Sequence, residues 1–287
     1  MAPDQRWIAR QEAVMAQAEA LVLSYAPNAR CRRLPRALLA GEGDPAGRFG
    51  RSSHSHLAPL IYAGLWGTEA PAYPLAAAAV SAGVGQLILH GVGTCMYPAL
   101  WEESCPEEIR EIGVFLFHSL PRLAITAIEA PSNTRVAMGK TLEVGLARVA
   151  ASLDGASAPA PIEAVLVRAA ELPATFAALS AQLAGAPPRV VEACRGLGQA
   201  IGLAAEFDPA GAHRWLIDPR VLFIPPDQSD GVPGQARARA SPHDTSAAAA
   251  FRERALSALA DAGLLEPGRG QLRTMIQDLT SEEEYSC

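Results

Sequence analysis

The residues that could do chemistry are few, and most lack partners at a working spacing. Met138-Gly139-Lys140-Thr141 has the ending of a phosphate-binding loop. Such a loop curls its backbone N–H groups round a phosphate from a glycine five residues earlier, after a strand. That position is Thr134 and no strand precedes it, so the segment is not a nucleotide loop. His54-Ser55-His56 offers two imidazoles, but no Cys, Asp or Glu stands near them to complete a metal set, and they read as polar residues at a helix start. Cys31, Cys95, Cys105, Cys194 and Cys287 are odd in number and show no Cys-x-x-Cys or Cys-x-x-His spacing, the pattern of reduced, buried thiols. Serines and histidines are scattered without a Gly-x-Ser-x-Gly elbow.

The elements that must position any site are helical almost end to end. Apolar periodicity predicts helices over Trp7–Tyr25, Leu57–Leu65, Pro74–His90, Pro106–Leu120, Pro121–Ile128, Thr134–Leu153, Ile162–Ala184, Arg189–Ala205, Ala247–Ala262 and Gly270–Leu279. On the first, Trp7, Ile8, Val14, Ala18, Leu21 and Val22 share the apolar face. The third is apolar on all sides and is therefore central. A Pro kink is expected at Pro121. Residues 27–55 form a Pro/Gly-rich connection, 227–246 a mobile polar loop and 280–287 an acidic tail; 220–226 is a short β-like patch left as connection. The expectation is one all-α domain over 1–287.

Composition narrows the class. Of 287 residues, 49% are hydrophobic and 19% charged, enough to bury a full core and too apolar for general disorder. Thirty acidic residues against 24 basic give a net charge of −6 without a clustered basic face, which argues against nucleic acid. Lys140 is the one lysine; with the abundant Ala and Arg it reads as a GC-rich bacterial coding bias. The most apolar run, Leu75 to Leu89, is shorter than the roughly 18 residues of a spanning helix and contains Ser81 and Gln86. It is read as a core helix, with no membrane span. The charged N-terminus is no signal peptide, so a cytoplasmic protein is expected.

Read in order, larger segments resemble the trans-type polyprenyl diphosphate synthases. In that family a Gly-Lys-Arg-x-Arg-Pro turn opens one helix, and an Ala-rich helix then ends in Leu-Ile-His-Asp-Asp-x-x-Asp. Here Ala58-Pro59 falls on the Arg-Pro, Gly67 ends the helix, and Leu87-Ile88-Leu89-His90 runs into the place of the aspartates. Gly139-Lys140-Thr141-Leu142-Glu143-Val144 is similar to the family's Gly-Gln-x-Leu-Asp-Leu. Gly198 to Phe207 is similar to its Gly-x-x-Leu-Gly-Leu-Ala-Phe-Gln-Ile helix. The resemblance spans roughly residues 50 to 280 and implies an isoprenoid-synthase-like bundle around a central apolar cavity, with the 75–90 and 190–207 helices facing across it.

The departures fall on the chemistry. In the family, two Asp-rich motifs hold Mg²⁺ ions that grip a diphosphate, because Mg²⁺ demands hard oxygen ligands. The first motif's Asp positions read Gly91, Val92 and Cys95, and no aspartate occurs between Asp44 and Asp154. The second motif's positions read Pro209, Ala210 and His213, leaving Glu206 and Asp208 as the nearby acids. Ser55, His56 and Ala58 replace the basic diphosphate grip, and Glu171-Leu172 replaces a later Lys-Thr pair. The resemblance thus implies an isoprenoid-binding protein without metal or other cofactor, either a prenyl-chain binder or a non-catalytic subunit pairing with itself or with a related synthase. The alternative is a metal-independent isoprenoid-modifying enzyme. Its acid–base groups would be His90, Glu206 and Asp208, in a cavity lined by Gly91, Cys95, Tyr97, Lys140, Glu143 and His213. A third class is a helical scaffold unrelated to isoprenoids, with Ala/Leu-rich coincidences. The 106–120 helix, with Ile109, Ile112, Val114, Phe115, Leu116 and Phe117, carries more apolar surface than one stripe needs and is expected to form a dimer interface through Phe117.

Overall fold

A computed structural model describes residues 5–29, 31, 53–89, 105–153, 162–206 and 245–278, and among these there is no strand. The helices are α1 (Gln5–Tyr25), α2 (Ser53–Trp66), α3 (Tyr73–Leu89), α4 (Pro106–Val114), α5 (Leu120–Ala127), α6 (Ser132–Leu153), α7 (Ile162–Leu183), α8 (Pro188–Glu206), α9 (Thr245–Asp261) and α10 (Gly268–Asp278). The 27–55 connection, the 220–226 patch, the 227–246 loop and the 280–287 tail lie wholly or mostly outside the described residues.

The helix α3 is apolar all round because it is covered all round: every residue from Leu75 to Ile88 is buried. Its coat is α1, α2, α4, α5 and α7. Long enough by composition to cross a membrane, the 70–89 stretch is instead mostly buried inside the bundle. A second core joins Leu57, Leu60 and Ile61 of α2 to Leu197 and Ile201 of α8, Leu259 of α9 and Leu272 and Ile276 of α10. Packed on α2, α3, α6 and α8, α7 links the two cores.

The structure departs from the expected first helix and from the expected start of the second, and it adds a feature ahead of Pro121. Ile8 is 43% exposed, and its expected place on the inner stripe of α1 is taken by Arg10, which shares the i, i+4 row of Val14 and Ala18 and is 2% exposed. Residues 115–119 form one wide π turn, so the helical path runs through Pro121 without a break. Pro121 cannot donate to the carbonyl four residues back; the wide turn shifts the bonding so that Leu120 N–H reaches the Phe115 carbonyl. Finally, α2 begins at Ser53, before the expected Leu57, and places His56 in its first turn.

The surplus apolar surface of residues 106–120 is used within the chain. Ile112, Phe115, Leu116 and Phe117 are all buried, against α3 and its neighbours. The expected dimer interface through Phe117 is therefore corrected: the wide turn and the breadth of α3 cover that side chain inside one chain. Only Val114 of the group is prominently exposed, at 43%.

Candidate functional site

One end of the bundle gathers the ends of several helices round the first half of α7. The Gln86 side chain of α3, itself buried, donates from Nε2 to the Arg168 carbonyl at 3.0 Å. The Arg168 guanidinium donates from Nε to the Ser152 carbonyl near the end of α6, also at 3.0 Å. From α8, Gly202 lies directly against the Ala169 carbonyl and the Pro173 ring. The carboxyl-terminal parts of α3, α6 and α8 thus each pack on the same short stretch of α7, residues 168–173.

Next to this level Glu171 is buried on α7, its Oε1 accepting from Arg148 Nη1 of α6 at 3.4 Å and from Arg195 Nη2 of α8. Two guanidiniums on one carboxylate oxygen fix that side chain toward α6 and α8. Beside it on the chain, Leu172 is fully buried apolar packing.

His56 occupies a second polar cluster, at the start of α2. It is 4% exposed and meets the Trp7 ring edge-on at 4.5 Å between centroids. Burial, and secondarily the Arg10 cation, push its pKa down to about 3, so the imidazole is neutral at pH 7. Arg10 forms a two-pronged pair with Glu69, Nε to Oε2 and Nη2 to Oε1 at 2.7 Å each, and also donates to Gln271 Oε1 of α10. Periodicity could have found Arg10, since it continues the buried row of α1. Nothing local in the sequence points to Glu69 or Gln271 as its partners, 59 and 261 residues away. Arg10→Ala leaves the Glu69 carboxylate unpaired in a half-buried place and should lower unfolding free energy by about 3 kcal/mol, read from a urea titration at pH 7.

The residues expected from sequence are unevenly placed. His90, Gly91, Cys95, Tyr97, Asp208 and His213 lie outside the described residues, as does the side chain of Glu206 at the end of α8. Lys140 and Glu143 stand on the exposed side of α6, whose inner side is Met138, Leu142, Gly145, Leu146 and Val149. The two are not brought to the bundle's interior. Glu143 pairs with Arg122 of α5, and that hydrogen bond holds its carboxyl below the usual range. Leu142 faces in, and one residue farther along a helix is a turn of about 100°, which carries Glu143 outward. Among the cysteines, Cys194 is fully buried, its thiol pushed up to about 12 by burial, and Cys31 is raised in the same direction. Among the described residues no three His, Cys, Asp or Glu side chains gather as a metal set would.

Comparison with solved structures places this arrangement. The chain is similar over 96% of its length to a geranylgeranyl pyrophosphate synthetase from the archaeon Geoglobus acetivorans, of which it covers 97%, with TM-score 0.65 and 16% identity. It is similar over 98% to a decaprenyl diphosphate synthase from Rhodobacter capsulatus, again covering 98% of that chain, with TM-score 0.61 and 19% identity. A polyprenyl synthetase from Streptomyces coelicolor A3(2) gives TM-score 0.64 at 15% identity, over 95% of this chain and 98% of that one. No family model matches the sequence, and no curated protein matches it. The fold is that of the all-α isoprenoid synthases.

Proposed function

We propose that this polyprenyl-synthase-like protein has lost the Mg²⁺–diphosphate machinery and serves isoprenoid metabolism in the cytoplasm as a prenyl-chain-binding or non-catalytic partner subunit. The observation that carries this is the charge at the positions the resemblance assigns to the diphosphate grip. His56 is neutral and buried, Ala58 is fully buried, and Glu171 is a carboxylate already held by Arg148 and Arg195. None of the three supplies the cation that the resemblance assigns to its position: the ring is neutral, the alanine is buried, and the carboxylate is itself the acceptor of two guanidiniums.

The donor set does not fit Mg²⁺ either. No residue of α3 from Tyr73 to Leu89 is an acid, and the positions that follow are Gly91, Val92 and Cys95. A hard cation needs several oxygen ligands. The likeness of the fold to solved isoprenoid synthases supports an apolar chain as the ligand, so the ligand proposed is an isoprenoid whose end carries no diphosphate.

Support for a partner comes from the outer side of α6. There Val136 is 59% and Val144 51% exposed. The partner proposed for this side is a second copy or a related synthase. The second reading is acid–base catalysis, favoured because the ends of α3 and α8 both pack on residues 168–173 of α7. It assigns catalysis to His90, Glu206 and Asp208.

Mass spectrometry of small molecules extracted from the purified protein tests the binding reading, and an isoprenoid lipid without diphosphate is expected. Calorimetry with Mg²⁺ and a prenyl diphosphate should give no magnesium-dependent heat; such a heat, or release of pyrophosphate, would overturn it. If His90→Ala or Glu206→Gln abolishes a product formed in cells, the enzyme reading replaces the subunit reading.

A further inference from the structure

The two halves of α1 belong to different cores. Val14, Ala18, Leu21 and Val22 are buried with α3 in the larger cluster. Trp7 instead packs on the smaller cluster of α2, α8, α9 and α10. Between Gln5 and Glu12, Trp7 and Arg10 are the side chains that reach inward, since Gln5, Arg6, Ile8, Ala9 and Glu12 are exposed and Gln11 half-buried. The first two turns thus bury one aromatic ring and one guanidinium, while the rest of the helix has an apolar seat of its own.

The polar groups around that ring are imperfectly satisfied. Arg10 Nη1 and His56 Nδ1 are both buried without a hydrogen-bond partner among the described residues, and both groups flank Trp7. A buried polar atom without a partner is a cost that release into water removes. Among the described residues, the charged group acting on His56 is Arg10 from α1; behind it stand Glu69 of the α2–α3 link, paired with Arg10, and the Tyr73 hydroxyl, 3.5 Å from Glu69 Oε2. Gln271 of α10 is neutral. One carboxylate thus already answers one cation, and a second cation beside Trp7 would have no counter-charge of its own among the described residues.

We propose that residues 5–12 are an acid-released clasp over the start of α2 and over α10, closed while His56 is neutral and opened when it takes a proton. The sign follows from linkage. The closed clasp favours the neutral imidazole and the open clasp lets it titrate at its ordinary value, so the open fraction grows as pH falls below about 6.5. With His56 at about 3 when closed, lowering pH from 7 to 4.5 should raise the open fraction roughly 70-fold. Residues 14–25 stay docked on α3 through that range.

Hydrogen exchange of the full chain, read by mass spectrometry at pH 7, 6, 5 and 4.5 and corrected for intrinsic rate, is the test. Peptides covering 5–12 should lose protection by one to two orders of magnitude while peptides within 169–181 of α7 keep theirs. His56→Gln should remove that pH dependence. Trp7→Ala, at a half-buried surface position, should leave 5–12 unprotected already at pH 7 with no further acid response. Protection of 5–12 persisting to pH 4.5 would overturn the clasp. So would loss of protection in step with α7, which is global acid unfolding, or an unchanged pH response in either variant.

Discussion

Phe117→Asp is expected to unfold the chain rather than to split an assembly. Phe117 is 3% exposed and sits among Ile112, Leu116, Leu120 and the α3 residues of the main core. Truncating a buried Phe costs about 3–5 kcal/mol by itself, and an unpaired carboxylate in the same place adds several more. That sum rivals the whole stability of an ordinary domain. The variant should be insoluble or lack a cooperative urea transition, whatever its concentration. Val144→Asp, on the exposed side of α6, is the contrasting substitution. It should change stability by less than about 0.5 kcal/mol, so sedimentation of that variant reads assembly alone. A folded, monomeric Phe117→Asp protein would show that the side chain is not seated in the core.

Gly202→Leu is expected to lower unfolding free energy by about 3 kcal/mol, measured as a reduced urea midpoint at constant slope. Pro173 has no N–H, so the Ala169 carbonyl loses its usual partner four residues on. The backbone of α8 comes against that carbonyl at Gly202 and against the Pro173 carbonyl at Gly198, where any Cβ would collide with backbone atoms that cannot rotate away. A leucine must push α8 off α7, and with it Leu203 and Ile201 off their cores. Gly196, on the same helix with open space at its Cβ position, should accept Ala without loss and gain helix propensity. Equal effects at 196 and 202 would mean that the helices are not in close contact.

Helix content, order and most ends were legible in the sequence, because they follow from local terms. Apolar spacing, Pro and Gly punctuation and the Glu107–Glu108 start of α4 each act within a few residues. The all-round apolar α3 was legible as the centre for the same reason: only a fully covered helix can afford no polar side. The bundle type followed from the order of weak motifs along the chain, and solved structures share it. What the sequence did not disclose is where charge ends up. Arg10 reads as one more surface arginine until Glu69 and Gln271, distant along the chain, close round it. His56 reads as a polar residue at a helix start until Trp7 and Arg10 cover it and hold it neutral. Glu143 matches a motif position, yet α6 turns it outward to Arg122. Phe117 reads as an interface side chain until α3 covers it. Periodicity determines which residues share a helical face, since that is fixed by 3.6 residues per turn. Which face meets which neighbour, and therefore which ionisable groups lose water and gain partners, depends on contacts between segments far apart in sequence, and only the tertiary structure decides those.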